Sequence, residues 1–255
     1  MNSSPIQVWA DGHVRTVLLN RPPHNFVDVE SMTCLADTLH ALDADEDCRV
    51  IVLGSQGKSF CAGADFSGVP GGAGVLDSAA LYSQAMRLFR TRKPIIAAIQ
   101  GAAIGAGAGL ALAADFRIAC AASRFAVNFN RLGFHPGFGL SCTLPRLVGQ
   151  QMAARLFYVG DRIHGERMVE LGLADELAPD DQVRERAQAL AREIANSAPQ
   201  AVQSTRETLR RGLADEVAAI NARELAIQGP QFGSQDFREG VAAAAERRLP
   251  VFTGR

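Results

Sequence analysis

Most of the residues in this chain that could support chemistry have no reactive side chain. Fourteen residues separate Gln100 from Asp115, nearly all Gly or Ala, without a charge or a side-chain hydrogen-bonding group. Such a segment can be packed core, because small residues let helices approach closely. It can also be a stretch of backbone kept open for a ligand. Helix N-termini leave unpaired N–H donors and carry about half a positive charge, so a helix starting near Gly107 could stabilise a developing oxyanion. A second segment, GKSFCAGADFSG from Gly57 to Gly68, holds a tight Ala62-Gly63-Ala64 turn. Two small-residue turns, each following a strand, could bring two N–H donors to one carbonyl oxygen. A dinucleotide-binding turn fits less well: Gly105, Gly107 and Gly109 are spaced GxGxG rather than GxGxxG, and Phe125 to Arg131 offers no acid for the ribose hydroxyls.

The elements that must position these turns follow from periodicity. IQVWADGHVRTVLLN alternates around Asp11-Gly12 and reads as a hairpin. Ser31 to Arg49 spaces Met32, Leu35, Leu39 and Leu42 as a helix, and VIVLGS follows as a strand. Ala79 to Arg92 is a helix stopped by Pro94, with IIAAIQG strand-like after it. A helix over Gly107 to Ala114, the strand FRIAC and a helix over Gly139 to Val148 extend the alternation, which predicts an α/β fold. Beyond Gln150 the strand signals nearly vanish and three helical stretches follow, an appendage without a core of its own. Ser67 to Ser78, rich in glycine, reads as a mobile loop.

Composition narrows the class of function. The 255 residues carry a net charge of −1 with both signs scattered, which speaks against nucleic-acid or membrane-surface partners. The five cysteines form no CxxC pair, so neither a disulfide framework nor a structural zinc site is expected. No targeting or membrane-spanning run is legible, and the expected location is cytoplasmic.

LNRPPHNFVD, GKSFCAGADF, IQGAAIGAGAGLALAADFRIA, LGFHPGFG and EGVAAAAERRLPVF occur in this order along the chain. Together they resemble the crotonase superfamily, the enoyl-CoA hydratase/isomerase family, over essentially the whole length. The resemblance implies a spiral of ββα units over residues 1–195 and a helical C-terminal region over 196–255. It also implies an acyl-CoA thioester as partner, no separate cofactor or metal, and a homotrimer or homohexamer. Carried onto this chain, the oxyanion donors are the amides of Ala64 and Ala106. CoA is expected along Pro23, His24 and Phe26 and against Ala62, Asp65 and Phe66, with Gly105 beside the second donor. Arg247 and Arg248 take the place of a basic pair that can reach CoA phosphates, or form a solvated helix face.

The departures from the family pattern bear on mechanism. Hydratases of the family keep glutamates at the positions held here by Gly109 and Phe129, and simple isomerases keep the latter. Neither Gly nor Phe can move a proton. His135, in the turn RLGFHPGFG, is the residue that could replace them as general base, since imidazole titrates near neutrality; a turn residue held between Phe134 and Pro136 is the alternative. Tyr82 and Arg87 are placed near the acyl pocket. Asn128 and Asn130 face away from it if the local strand alternates. Ser141 lacks a histidine and an acid in motif context, so a triad is not expected. Two functions remain: an enzyme of the lyase or isomerase class using the oxyanion hole, and an acyl-CoA binding or carrier protein.

Overall fold

The computed structural model describes residues 4–64 and 77–255. The Asp11-Gly12 turn, with Gly12 at φ 54°, joins β1 (Ile6–Asp11) to β2 (Val14–Leu19) as an antiparallel hairpin. The next helix, α1 (Val29–Ala44), starts where the Asp28 carboxylate accepts from the Ser31 N–H and the Ser31 hydroxyl oxygen accepts from the Asp28 N–H, a capping box. Its buried face is Met32, Leu35 and Leu39, the residues the periodicity selects. β3 (Val50–Ser55), α2 (Ser78–Leu88) and β4 (Ile95–Ile99) follow, and both strands are buried along their entire length, as parallel strands covered on two faces are.

From there the chain alternates between two sheets. β5 (Ala102–Ile104) precedes α3 (Ala106–Ala113), and β6 (Phe116–Cys120) and β7 (Arg124–Ala126) precede α4 (Leu140–Val159). After these come β8 (Ile163–His164), α5 (Gly165–Glu170), β9 (Glu176–Ala178), α6 (Val183–Ala195), α7 (Pro199–Leu209), α8 (Leu213–Gln231) and α9 (Gln235–Glu246). The larger sheet has the order β1-β2-β3-β4-β6-β9, parallel except for β1, and the smaller one β5-β7-β8. The β4-β5-α3 and β6-β7-α4 units thus place one strand in each sheet, and the α/β expectation holds.

Two differences concern the C-terminal half. Strand pairing does not stop at Gln150: β9 closes the edge of the large sheet against β6, and β8 pairs with β7. These strands are two and three residues long, too short for periodicity to register. α4 also runs past Val148 to Val159, with a break at Gly149, where φ is 77° and ψ 160°. α6 is part of the main core, because Val183, Ala187 and Ala191 cover the face of the large sheet opposite α1 and α2, against Val50, Val52 and Ile96. The glycine-rich segment expected to be a mobile loop falls almost wholly outside the described residues.

Behind α3, Asp115 pairs with two arginines of the C-terminal helices, Arg206 Nε at 2.9 Å and Arg210 Nη1 at 2.8 Å, and accepts from the Ile95 N–H. This cluster is largely buried and ties α7 to the start of β4. The α3 segment is therefore held from below as well as from its N-terminal side.

Candidate functional site

Two turns are drawn together by backbone bonds. Cys61 N–H donates to Ala102 O (2.8 Å) and Ile104 N–H donates to Cys61 O (3.0 Å), which ties the Cys61 segment to β5. On its other side Ala62 N–H donates to His24 O and Val27 N–H to Gly63 O, both at 2.9 Å. The Ala62-Gly63-Ala64 turn therefore cannot move independently of β5 or of the segment before α1. At Gly107 a Cβ would lie 2.1 Å from Cys61 O, so the approach of α3 to this turn requires glycine there. Gly63 has φ 102°, and a Cβ on it would fall 2.9 Å from Ile104 O and 3.9 Å from the Ala106 nitrogen. The first turn thus lies directly against the residue that opens the Gly107 helix, Ala106.

Ala106 is the first residue of α3, after Gly105 at φ 56° and ψ −115°, and the first bond back within the helix is Gly109 N–H to Gly105 O. Its own N–H is one of the donors that a helix start leaves over. Among the described residues neither the Ala64 nor the Ala106 amide has an acceptor. Both residues line one cavity of about 360 Å³, a volume suited to the acyl portion of a thioester.

The wall of that cavity is almost entirely apolar. Phe26, Ala62, Gly105 and Phe129 are in it, as the sequence reading places them. The Phe129 ring lies beside Gly105 and begins an aromatic cluster: it meets Phe134 at 5.4 Å edge to face, and Phe134 meets Phe232 at 5.0 Å and Phe237 at 5.6 Å. Val241, Ala244 and Ala245 of α9 close the cavity, so the C-terminal helix is part of the site. Gly109 is not in the wall. A Cβ there would lie 2.4 Å from the Phe138 ring, and Phe138 is fully buried at φ 66°. The space a side chain at 109 would enter is already filled.

Two polar residues line the cavity, Tyr82 and Asn128. Asn128 corrects the expectation that it faces away. β7 ends at Ala126 and a 3-10 turn begins at Asn130, so strand alternation does not extend to this pair, and both Asn128 and Phe129 line the cavity. Burial pushes the Tyr82 hydroxyl well above its ordinary pKa, which keeps it protonated. The Cys61 thiol, next to the first turn, is pushed up to about 12 by burial and is no nucleophile at neutral pH.

His135 is not brought to this wall. Its Nδ1 lies 2.7 Å from Pro136 O and its N–H donates to the Gln231 side chain at 2.7 Å, which anchors it in the turn behind the cavity. Pro23 and His24 are exposed outside it; the His24 ring packs on Phe26 at 5.2 Å and its carbonyl holds Ala62. Arg247 caps α9 at φ 57° and is exposed, whereas Arg248 is committed to Glu239 and Glu246. Asp65 and Phe66 lie outside the described residues. Among those described, no group of His, Cys, Asp and Glu side chains could hold a metal ion.

Several positioning residues gave no sequence signal as such. Asn25, buried at φ 50°, donates to Gln56 O (2.8 Å) and Ser59 O (2.7 Å) and accepts from the Arg21 N–H, which fixes the segment that carries Phe26. Glu224 on α8 is 1% exposed, and its carboxylate accepts from the Gly139 and Ser141 amides at the start of α4. Burial raises its pKa, and those two amide donors oppose the shift.

Comparison with known proteins agrees with this architecture. Residues 10–255 match the family model described as Enoyl-CoA hydratase/isomerase. The chain is 34% identical over 254 residues to a probable enoyl-CoA hydratase of Bacillus subtilis, with 98% of each chain covered. It is 32% identical over 261 residues to the 1,2-epoxyphenylacetyl-CoA isomerase of Escherichia coli, covering 95% of each. The crystal structure of an enoyl-CoA hydratase/isomerase from Pseudoalteromonas atlantica superimposes with a TM-score of 0.88 at 29% identity, over 98% of this chain and 100% of that one. With two sheets linked by ββα units and a family match over nearly its whole length, this chain belongs to the enoyl-CoA hydratase/isomerase family of the crotonase superfamily.

Proposed function

We propose that this protein transforms an acyl-CoA thioester through an enolate-like intermediate whose oxygen is held by the Ala64 and Ala106 amides, and that it is not a standard hydratase. One observation carries the reading: the two unpaired amides border a cavity whose described wall contains no carboxylate. Hydration needs groups that position and activate water, each worth about 10² to 10⁴-fold. Here Phe129 presents a ring, and Gly109 has no space for a side chain. Decarboxylation and retro-aldol cleavage ask less of such a wall than isomerisation, which needs a group that moves a proton between carbons. In the two cleavage reactions, breaking a carbon–carbon bond delivers the electron pair to the thioester carbonyl, where the amides receive the charge; decarboxylation needs no base, whereas retro-aldol cleavage passes the β-hydroxyl proton to water. A site matched to a transition state gives a pure carrier little, which favours the enzyme over the binding protein. The reading includes a cytoplasmic homotrimer or homohexamer.

The test is a panel of enoyl-, 3-hydroxyacyl- and malonyl-type CoA thioesters with the purified protein. At least one is expected to be converted, and crotonyl-CoA to be hydrated at least about 10²-fold more slowly than the best substrate turns over. Micromolar binding without any turnover would make the protein a carrier, and rapid crotonyl-CoA hydration would show that water is activated without the two glutamates. With its ring held at Pro136, His135 is not the base in this reading. His135→Ala is expected to lower kcat by less than about 5-fold, whereas a loss of about 10²-fold would restore that role to it.

A further inference from the structure

We propose that Tyr82, together with Asn128 in the same wall, selects acyl groups that carry an uncharged oxygen, a keto or hydroxyl group, over plain hydrocarbon chains and over carboxylated ones. The inference rests on the acyl-CoA reading above and names the substrate class within it. Every other described side chain lining the cavity is apolar or absent, so these two are the polar groups an acyl chain meets beyond the oxyanion donors.

The Tyr82 hydroxyl has a place built for it. Gln228, completely buried on α8, donates its amide N–H to His135 O at 2.7 Å, and its amide nitrogen and the Tyr82 hydroxyl flank the same open space at Gly137. A carbonyl oxygen can only accept, so the bond to His135 O fixes which end of the Gln228 amide is nitrogen. Gly137 leaves the room: a Cβ there would come within 2.6 Å of the Gln228 amide nitrogen and 2.7 Å of the Tyr82 hydroxyl. The ring is braced edge to face by Phe138 at 5.9 Å.

Tyr82 is 4% exposed, and no described residue supplies an acceptor for its hydroxyl hydrogen at hydrogen-bond distance. Leaving a buried donor unmatched is costly, and a ligand oxygen removes that cost. The Gln228 Oε1 is also buried without a partner among the described residues. Asn128, half-buried in the same wall, adds a side-chain amide with no described partner.

The same wall disfavours an anion. No described lining residue carries a positive charge, and Glu224 is already buried behind Tyr82, close enough to act on it electrostatically. A carboxylate on the acyl chain would be desolvated there without a counter-charge. This favours uncharged oxygenated acyl groups over carboxylated ones.

Calorimetric titration with a six-carbon series tests the idea: hexanoyl-CoA, its 3-hydroxy, 3-oxo and 5-oxo derivatives, and adipoyl-CoA. At least one oxygenated thioester is expected to bind about 10-fold or more tightly than hexanoyl-CoA, and adipoyl-CoA more weakly than either. Tyr82→Phe keeps the ring and its packing, so the ratio of the two Kd values within that variant is expected to fall to within about 2-fold of one. A wild-type protein that binds hexanoyl-CoA as well as every oxygenated analogue overturns the proposal, as does tightest binding of adipoyl-CoA or a Tyr82→Phe variant that keeps the ratio. The acyl-CoA reading survives those results, since hexanoyl-CoA still binds. If no thioester binds, that reading and this proposal fall together.

Discussion

Ala106→Pro is expected to lower kcat on the best substrate of the thioester panel by about 10² to 10³-fold, about 3 to 4 kcal/mol of transition-state stabilisation. Ala106 is the first residue of α3, where proline is tolerated because its missing N–H has no partner within the helix. The substitution therefore deletes one oxyanion donor and little else, and the unfolding temperature is expected to stay within a few degrees of wild type. Ala106→Gly keeps the N–H and serves as the control, with kcat expected within about 3-fold. The decisive measurement is kcat for both variants alongside thermal unfolding. A proline variant that folds and turns over like wild type would show that this amide carries no developing charge.

The second large effect concerns the position of a missing glutamate. Gly109→Glu, which restores the carboxylate of family hydratases, is expected to destabilise the protein by about 3 kcal/mol or more and to leave crotonyl-CoA unhydrated, since overpacking a filled core forces neighbours off their preferred geometry. The obstacle is the Phe138 ring, 2.4 Å from where the new Cβ would stand. Phe138 itself sits at φ 66°, a conformation glycine adopts without penalty. Gly109→Glu and Phe138→Gly are thus expected to couple: the double variant should be more stable than the sum of the two single effects predicts, by about 1 to 3 kcal/mol. Urea unfolding of the four proteins measures this. Simple additivity would mean that the ring does not exclude a side chain at 109.

In the proposed reading, these two residues set the site apart from one built for hydration. Glycine at 109 is visible in the sequence, but the reason a larger side chain has no room there is not. That reason lies 29 positions further along the chain, in a phenylalanine whose left-handed backbone aims its ring at α3. Contacts between distant positions of this kind leave no periodic trace. The same limit applies to Gln228, which reads as one more polar residue of a helix and is found buried between Tyr82 and His135 O.

Local patterns were sufficient for the hairpin, for α1 with its spaced leucines, for the buried parallel strands and for the small-residue starts of the two turns, because each of these follows from neighbours within one element. They also carried the family resemblance, since glycine at 63, 105 and 107 is imposed by backbone conformation or close approach. Tertiary structure alone decided which side chains share the cavity. It placed Asn128 in the cavity wall where the strand ends, kept His135 behind Pro136, and brought α9 over the acyl space. Cavity walls are assembled from separate elements, and their facing depends on chain direction and packing that no single segment encodes.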